Sequence, residues 1–164
     1  MPSRENKSKK QSGTKVAPEK RLESVTFFVD RSLGKEKVPD ALRKIGLKTE
    51  VHADHFAHDA PDTEWLQKRG EENWVVLAKD RAIKKNPLER QAVFSYGAAA
   101  FFLTKADATA ESNAQAVVNG LRKISNLVHN QQRPFIARIM LDGKVELWLD
   151  HKGKDYLAKK KSKG

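Results

Sequence analysis

Apolar residues along this chain fall into two rhythms, short unbroken runs and helical stripes, and the two alternate. Val25-Thr26-Phe27-Phe28-Val29 is a β-branched and aromatic run that follows charged residues and stops at Asp30, the pattern of a strand buried on both faces. After a turn at Gly34, Val38, Ala41, Leu42 and Ile45 recur at helical spacing, and Gly46 supplies the stop. Leu47 to His52 reads as a second strand. Pro61 suits the first turn of a helix, where its missing N–H has no partner to lose, and Trp65, Leu66 and Arg69 follow before Gly70. Trp74-Val75-Val76-Leu77 is the third run and Ala98 to Leu103 the fourth, with a helix predicted between them over Pro87 to Tyr96. Ala110 to Val128 then reads as one long helix whose Ala114, Val117, Leu121, Ile124 and Val128 form a single stripe. Finally, Phe135 to Leu141 and Lys144 to Leu149 flank Asp142-Gly143, a strong hairpin signal.

Four alternations of strand and helix followed by a hairpin predict an α/β fold, small and doubly wound, with a mainly parallel sheet and a C-terminal β-hairpin on one edge. Ligands of such sheets collect outside the carboxyl ends of the strands where strand order reverses, so an order of 2-1-3-4 would bring Asp30 and Asp80 together. The chain's 164 residues, 38% of them hydrophobic, suffice for one core rather than two. The formal charge of +11 changes this picture because it is uneven. Residues 1–23 hold seven Lys/Arg against three acids, residues 152–164 hold six against one, and the stretch between is nearly neutral at 19 against 17. The expected organisation is therefore a basic disordered arm at 1–23, a folded domain at 24–151 and a basic tail at 152–164. Such arms either keep a protein soluble or attract polyanions. With no cysteine there is no disulfide framework and no thiolate metal site. No run approaches the ~20 apolar residues of a membrane helix, and the first twenty residues lack the apolar core of a signal peptide. A cytoplasmic protein with no membrane partner is expected.

Three aspartates stand where chemistry gathers in such folds: Asp30 past the first strand, Asp62 at the start of the Pro61 helix and Asp80 past the third strand. Carboxylates brought together repel one another, and a cation between them relieves this; hard oxygen ligands of this kind suit Mg2+ or Mn2+. Spacing alone leaves a purely structural role open, with Asp30 and Asp80 ending strands and Asp62 meeting a helix dipole. Arg31, Lys35, Lys79, Arg81, Lys84 and Lys85 flank the same loops. Acids ringed by bases are what a metal-dependent phosphodiesterase needs, the acids for the cation and the bases for the polyanion.

The succession Phe27-Phe28-Val29-Asp30-Arg31-Ser32-Leu33-Gly34, His52-Ala53-Asp54-His55-Phe56, Pro61-Asp62-Thr63-Glu64-Trp65-Leu66 and Trp74-Val75-Val76-Leu77-Ala78-Lys79-Asp80 resembles PIN-like domains. The branch it is most similar to is that of the PIN-like toxins of bacterial toxin-antitoxin pairs, over roughly Val25 to Leu149. The resemblance implies dependence on Mg2+ or Mn2+, cleavage of RNA by a metal-activated water, and restraint by an antitoxin protein, with a homodimer left open. It matches Asp30 to the first family acid, Asp62 to the acid opening the central helix and Asp80 to the acid after the following strand.

Two departures bear on activity. The fourth carboxylate common in these nucleases has no decisive counterpart among Glu36, Asp40, Asp54 and Glu64. Of these, Glu64 lies two residues beyond Asp62 and would point about 200° away from it on a regular helix. Ala78 stands where a threonine is commoner. His52, His55 and His58, spaced by three, read as turn residues or phosphate contacts, with a transition-metal site as the alternative. The expected function is that of a metal-dependent endoribonuclease, and its rival is a non-catalytic RNA-binding or interaction module on the same scaffold.

Overall fold

The computed structural model describes residues 17–34, 36–51, 74–79, 91, 97–104 and 108–157. The predicted Pro61 helix, most of the Pro87–Tyr96 helix and the three histidines lie outside the described residues. Among those described, six strands form one sheet: β1 (Thr26–Val29), β2 (Lys48–Val51), β3 (Val75–Lys79), β4 (Ala99–Leu103), β5 (Phe135–Ile139) and β6 (Val145–Leu149). Their order is β2-β1-β3-β4-β5-β6, with every pair parallel except β5 with β6. This is the expected α/β architecture with the hairpin on one edge.

Both faces of the sheet are apolar. One carries Phe27, Val29, Val75, Leu77, Phe101, Leu103, Phe135 and Ile139, packed beneath helices. Burying a side chain of this size contributes roughly 1.5–3 kcal/mol, and Phe101 meets Phe135 edge-on with ring centres 5.6 Å apart. The other face carries Phe28, Val76, Ala78, Ala100, Phe102 and Ile136, with Trp74 and Trp148 against them. Period-two alternation with apolar residues on both sides explains why these strands read as unbroken apolar runs.

The described helices are α1 (Pro18–Arg21), α2 (Lys37–Lys44), α3 (Ala110–Asn119) and α4 (Leu121–Asn130). None is long and apolar enough to cross a membrane. α2 ends where Gly46 adopts φ +90, as its position predicts. α3 is capped by Thr109, whose hydroxyl accepts from the Ser112 N–H at 3.0 Å.

The single helix expected over Ala110 to Val128 is instead two, broken at Gly120. The cause lies in the hairpin. A Cβ on Gly120 would stand 2.7 Å from the Gly143 carbonyl oxygen and 2.7 Å from Val145 Cγ2, and a Cβ on Gly143 would stand 2.5 Å from Asn119 Cβ. The helix corner and the hairpin turn touch backbone to backbone, which only this glycine pair allows. The stripe nevertheless continues across the break, with Val117, Leu121 and Ile124 all buried.

The fold takes in residues on both sides of the 24–151 stretch. Leu22 is fully buried, Arg21 donates to Asn126 Oδ1 at 3.1 Å, and α1 packs on α4. After β6 the chain turns at Asp150, Asp155 bridges back to Leu149, and Leu157 is buried.

Candidate functional site

Because β1 pairs with β3 in parallel, the carboxyl ends of both strands lie side by side. Asp30 follows β1 directly, and its N–H donates to the Leu77 carbonyl at 2.9 Å, so it remains tied to β3. Its backbone is extended and it caps a 3-10 turn, Arg31–Leu33, with Oδ2 accepting from the Ser32 N–H at 3.1 Å. Gly34 closes this turn at φ +80, a conformation that side chains disfavour. Ser32 supplies a second tie, since its Oγ accepts from the Lys79 N–H at 3.1 Å. The loop after β1 is thereby fixed to the last residue of β3. Ser32 did not stand out in the sequence, although a serine two residues beyond a strand-ending aspartate is a turn signal.

The informative atom is Asp30 Oδ1. Asp30 is only 7% exposed, and Oδ1 is buried with no hydrogen-bond partner among the described residues. A buried acceptor left unpaired costs about 1–3 kcal/mol, so a protein that keeps one gains something in exchange. Alternation along β1 puts Asp30 on the face of Phe28 and in the row of Ala78 and Phe102. An oxygen held there by a capped turn, with one lone-pair edge unspent, has the chemistry of a ligand for a hard cation.

Of the other predicted site residues, Asp62, Asp80, Asp54, Glu64, Lys35, Arg81, Lys84 and Lys85 lie outside the described residues. Asp80 is covalently next to Lys79, whose N–H the Ser32 hydroxyl holds. Arg31 is exposed within the turn and Lys79 is half-buried at the end of β3, so two of the six predicted bases flank Asp30. Glu36 and Asp40 are exposed at the start of α2, and the Glu36 side chain makes no capping bond there. Among the described residues no three metal-binding side chains converge.

Comparison with known proteins bears on this geometry. Residues 25–105 match the family described as "PIN like domain", a span that contains β1 to β4 and Asp30. The chain is 34% identical over 103 residues to the Mycobacterium tuberculosis (strain ATCC 25618 / H37Rv) protein named "Putative ribonuclease VapC45", covering 60% of this chain and 75% of that relative. No solved structure matches.

Proposed function

Since the chain belongs to the PIN-like domain family, we propose that it is a metal-dependent endoribonuclease of PIN type, acting as the toxin of a toxin-antitoxin pair in the cytoplasm. The observation that carries this is the buried, unpartnered Oδ1 of Asp30 at the carboxyl end of a central strand. Likeness to a relative named as a ribonuclease supplies the substrate class.

Asp30, Asp62 and Asp80 are assigned as the ligands of Mg2+ or Mn2+, with Glu64 and Asp54 as further candidates. The unspent oxygen of Asp30 fits such an ion. A bound divalent ion supplies a water of lowered pKa and offsets charge that develops on the phosphate. The protein's part is positional. The Asp30 turn, tied to β3 through Ser32, fixes one carboxylate oxygen, while Arg31, Lys35, Lys79, Arg81, Lys84 and Lys85 orient the RNA backbone. The catalytic domain is 24–151 together with the flanking residues that pack on it, and the basic residues at the two ends of the chain attract RNA from a distance. An antitoxin protein is the regulatory partner.

A gel assay of RNA cleavage with Mg2+, with Mn2+ and with EDTA tests this. Cleavage that needs either ion and disappears in Asp30→Asn and Asp80→Asn is expected. Full cleavage by both folded variants rejects the assignment, and RNA binding without cleavage leaves the non-catalytic module.

A further inference from the structure

The corner between α3 and α4 meets the β5–β6 turn at the same carboxyl end of the sheet as Asp30, on the Phe27 face. β1, β3, β4 and β5 all run parallel, so the turn that follows Ile139 lies at the carboxyl end with Asp30. Where corner and turn meet there is an open groove, and Asn119, Arg122, Lys123, Asn126 and Lys144 line it. All three bases are exposed, and among the described residues no carboxylate pairs with any of them. The nearest acid in sequence, Asp142, turns its Oδ1 onto the Lys144 N–H at 2.9 Å.

The groove is held in place. Gly120 and Gly143 bring the helix corner onto the hairpin so closely that neither tolerates a Cβ, which locks the bases of α4 beside the one on β6's approach. α4 spans ten residues and its cap, Gly120, contributes no side-chain bond, so the positive end of the helix adds to the three side-chain charges. Measured along the sheet, β1 to β5 is three strand intervals, roughly 14 Å; the groove's helices cover the Phe27 face and Asp30 lies in the Phe28 row, so a single strand joining the two crosses the carboxyl end of the sheet.

We propose that this groove carries the RNA backbone on its way to or from Asp30, with Arg122, Lys123 and Lys144 contacting phosphates remote from the cleaved bond. The inference rests on the nuclease reading for its substrate class but concerns residues outside that site. Phosphate contacts of this kind position a strand without reading its sequence.

The test measures anisotropy of a labelled single-stranded oligoribonucleotide on the full chain carrying Asp30→Asn, so that RNA is not consumed. Added to it are the triple reversal Arg122→Glu, Lys123→Glu, Lys144→Glu, the neutral triple with Gln, and a control reversal of Lys44 and Lys48, which are exposed at the opposite edge of the sheet. The triple reversal is expected to weaken binding at low salt at least about tenfold and to flatten the plot of log affinity against log salt by about 2, the sum over three single-strand phosphate contacts. The Gln triple should move both readouts the same way by less, and the control should change affinity by less than about twofold. The inference is overturned if the triple reversal, melting as its parent does, binds RNA with unaltered affinity and slope, or if the control weakens binding equally. It is also overturned if RNA binding persists while co-purification with an acidic antitoxin is lost. Groove-dependent binding, together with no cleavage by the chain that keeps Asp30, rejects the nuclease reading and keeps the inference; cleavage by the Asp30 chain that the triple reversal leaves unaltered does the reverse; and no RNA binding at all rejects both.

Discussion

Asp30 and Asp150 each follow the last residue of a strand, each is nearly buried at 7% and 8% exposure, and each turns the chain by accepting backbone N–H groups. At Asp150 both oxygens of the carboxylate are engaged. Oδ1 takes the Lys152 and Lys154 N–H groups at 2.9 and 3.0 Å, and Oδ2 takes the Tyr156 hydroxyl at 3.1 Å. At Asp30, among the described residues, Oδ2 takes one N–H and Oδ1 takes nothing. A carboxylate with both oxygens engaged explains itself as a structural hook, here the one that folds residues 150–157 back onto β6. One with a buried oxygen unspent points to a ligand. Composition could not separate these two aspartates; their partners do.

The comparison breaks most visibly in activity. Asp30→Asn should lower RNA cleavage at least about a hundredfold, since removing even outer-shell partners of metal ligands typically costs about 10–100-fold. Its melting temperature in EDTA should stay close to wild type or rise slightly, because a buried uncompensated charge is removed. Asp150→Asn should do the opposite. It loses part of a three-bond hook, so melting should fall by several degrees while cleavage per folded molecule is unaltered. If the two variants behave alike, the distinction between filled and unfilled carboxylates fails.

Acid sharpens the contrast. The Lys154 N–H, more than any other group, holds the Asp150 carboxyl below the usual carboxylate range; burial opposes it, and the Lys152 N–H, the Tyr156 hydroxyl and His151 add to it. With its folded pKa below its unfolded one, Asp150 lends stability in full above the ordinary value of about 3.9, and that stability is lost as pH falls through the folded value. Amide exchange at Lys152, Lys154 and Leu157 should therefore accelerate below pH ~4 before the central strands open. The Tyr156 hydroxyl shows the reciprocal effect, pushed up because it donates to Asp150. Ser32→Ala is the mildest change. It removes the acceptor for the Lys79 N–H and should cost about 0.5–1.5 kcal/mol, with a loss of cleavage smaller than that of Asp30→Asn.

How much of this was legible in the sequence follows from the range over which each feature is decided. β1 and Asp30 could be read because an unbroken run ending in a carboxylate is a local pattern, and the hairpin because Asp142-Gly143 encodes its own turn. The break at Gly120 was not legible. A glycine within a long apolar stripe is tolerated by a helix, and what forbids continuation here is a contact with Gly143 and Val145, more than twenty residues away. Gly120→Ala should accordingly cost about 1–3 kcal/mol through overpacking, where helix propensity alone predicts a gain. The orphaned state of Asp30 Oδ1 was equally hidden, since it depends on what β3 brings alongside. Ser32, Arg122, Lys123 and Lys144 escaped notice for the same reason, each acquiring its part only through a neighbour distant in the chain.

Calorimetric titration with Mn2+ in the absence of RNA reads the Asp30 oxygen without requiring turnover. Wild type and Asp150→Asn should both show saturable binding by millimolar Mn2+, and Asp30→Asn should lose it. No binding by wild type at millimolar Mn2+, or equal binding by wild type and Asp30→Asn, would mean that Asp30 is a structural cap like Asp150 and holds no metal.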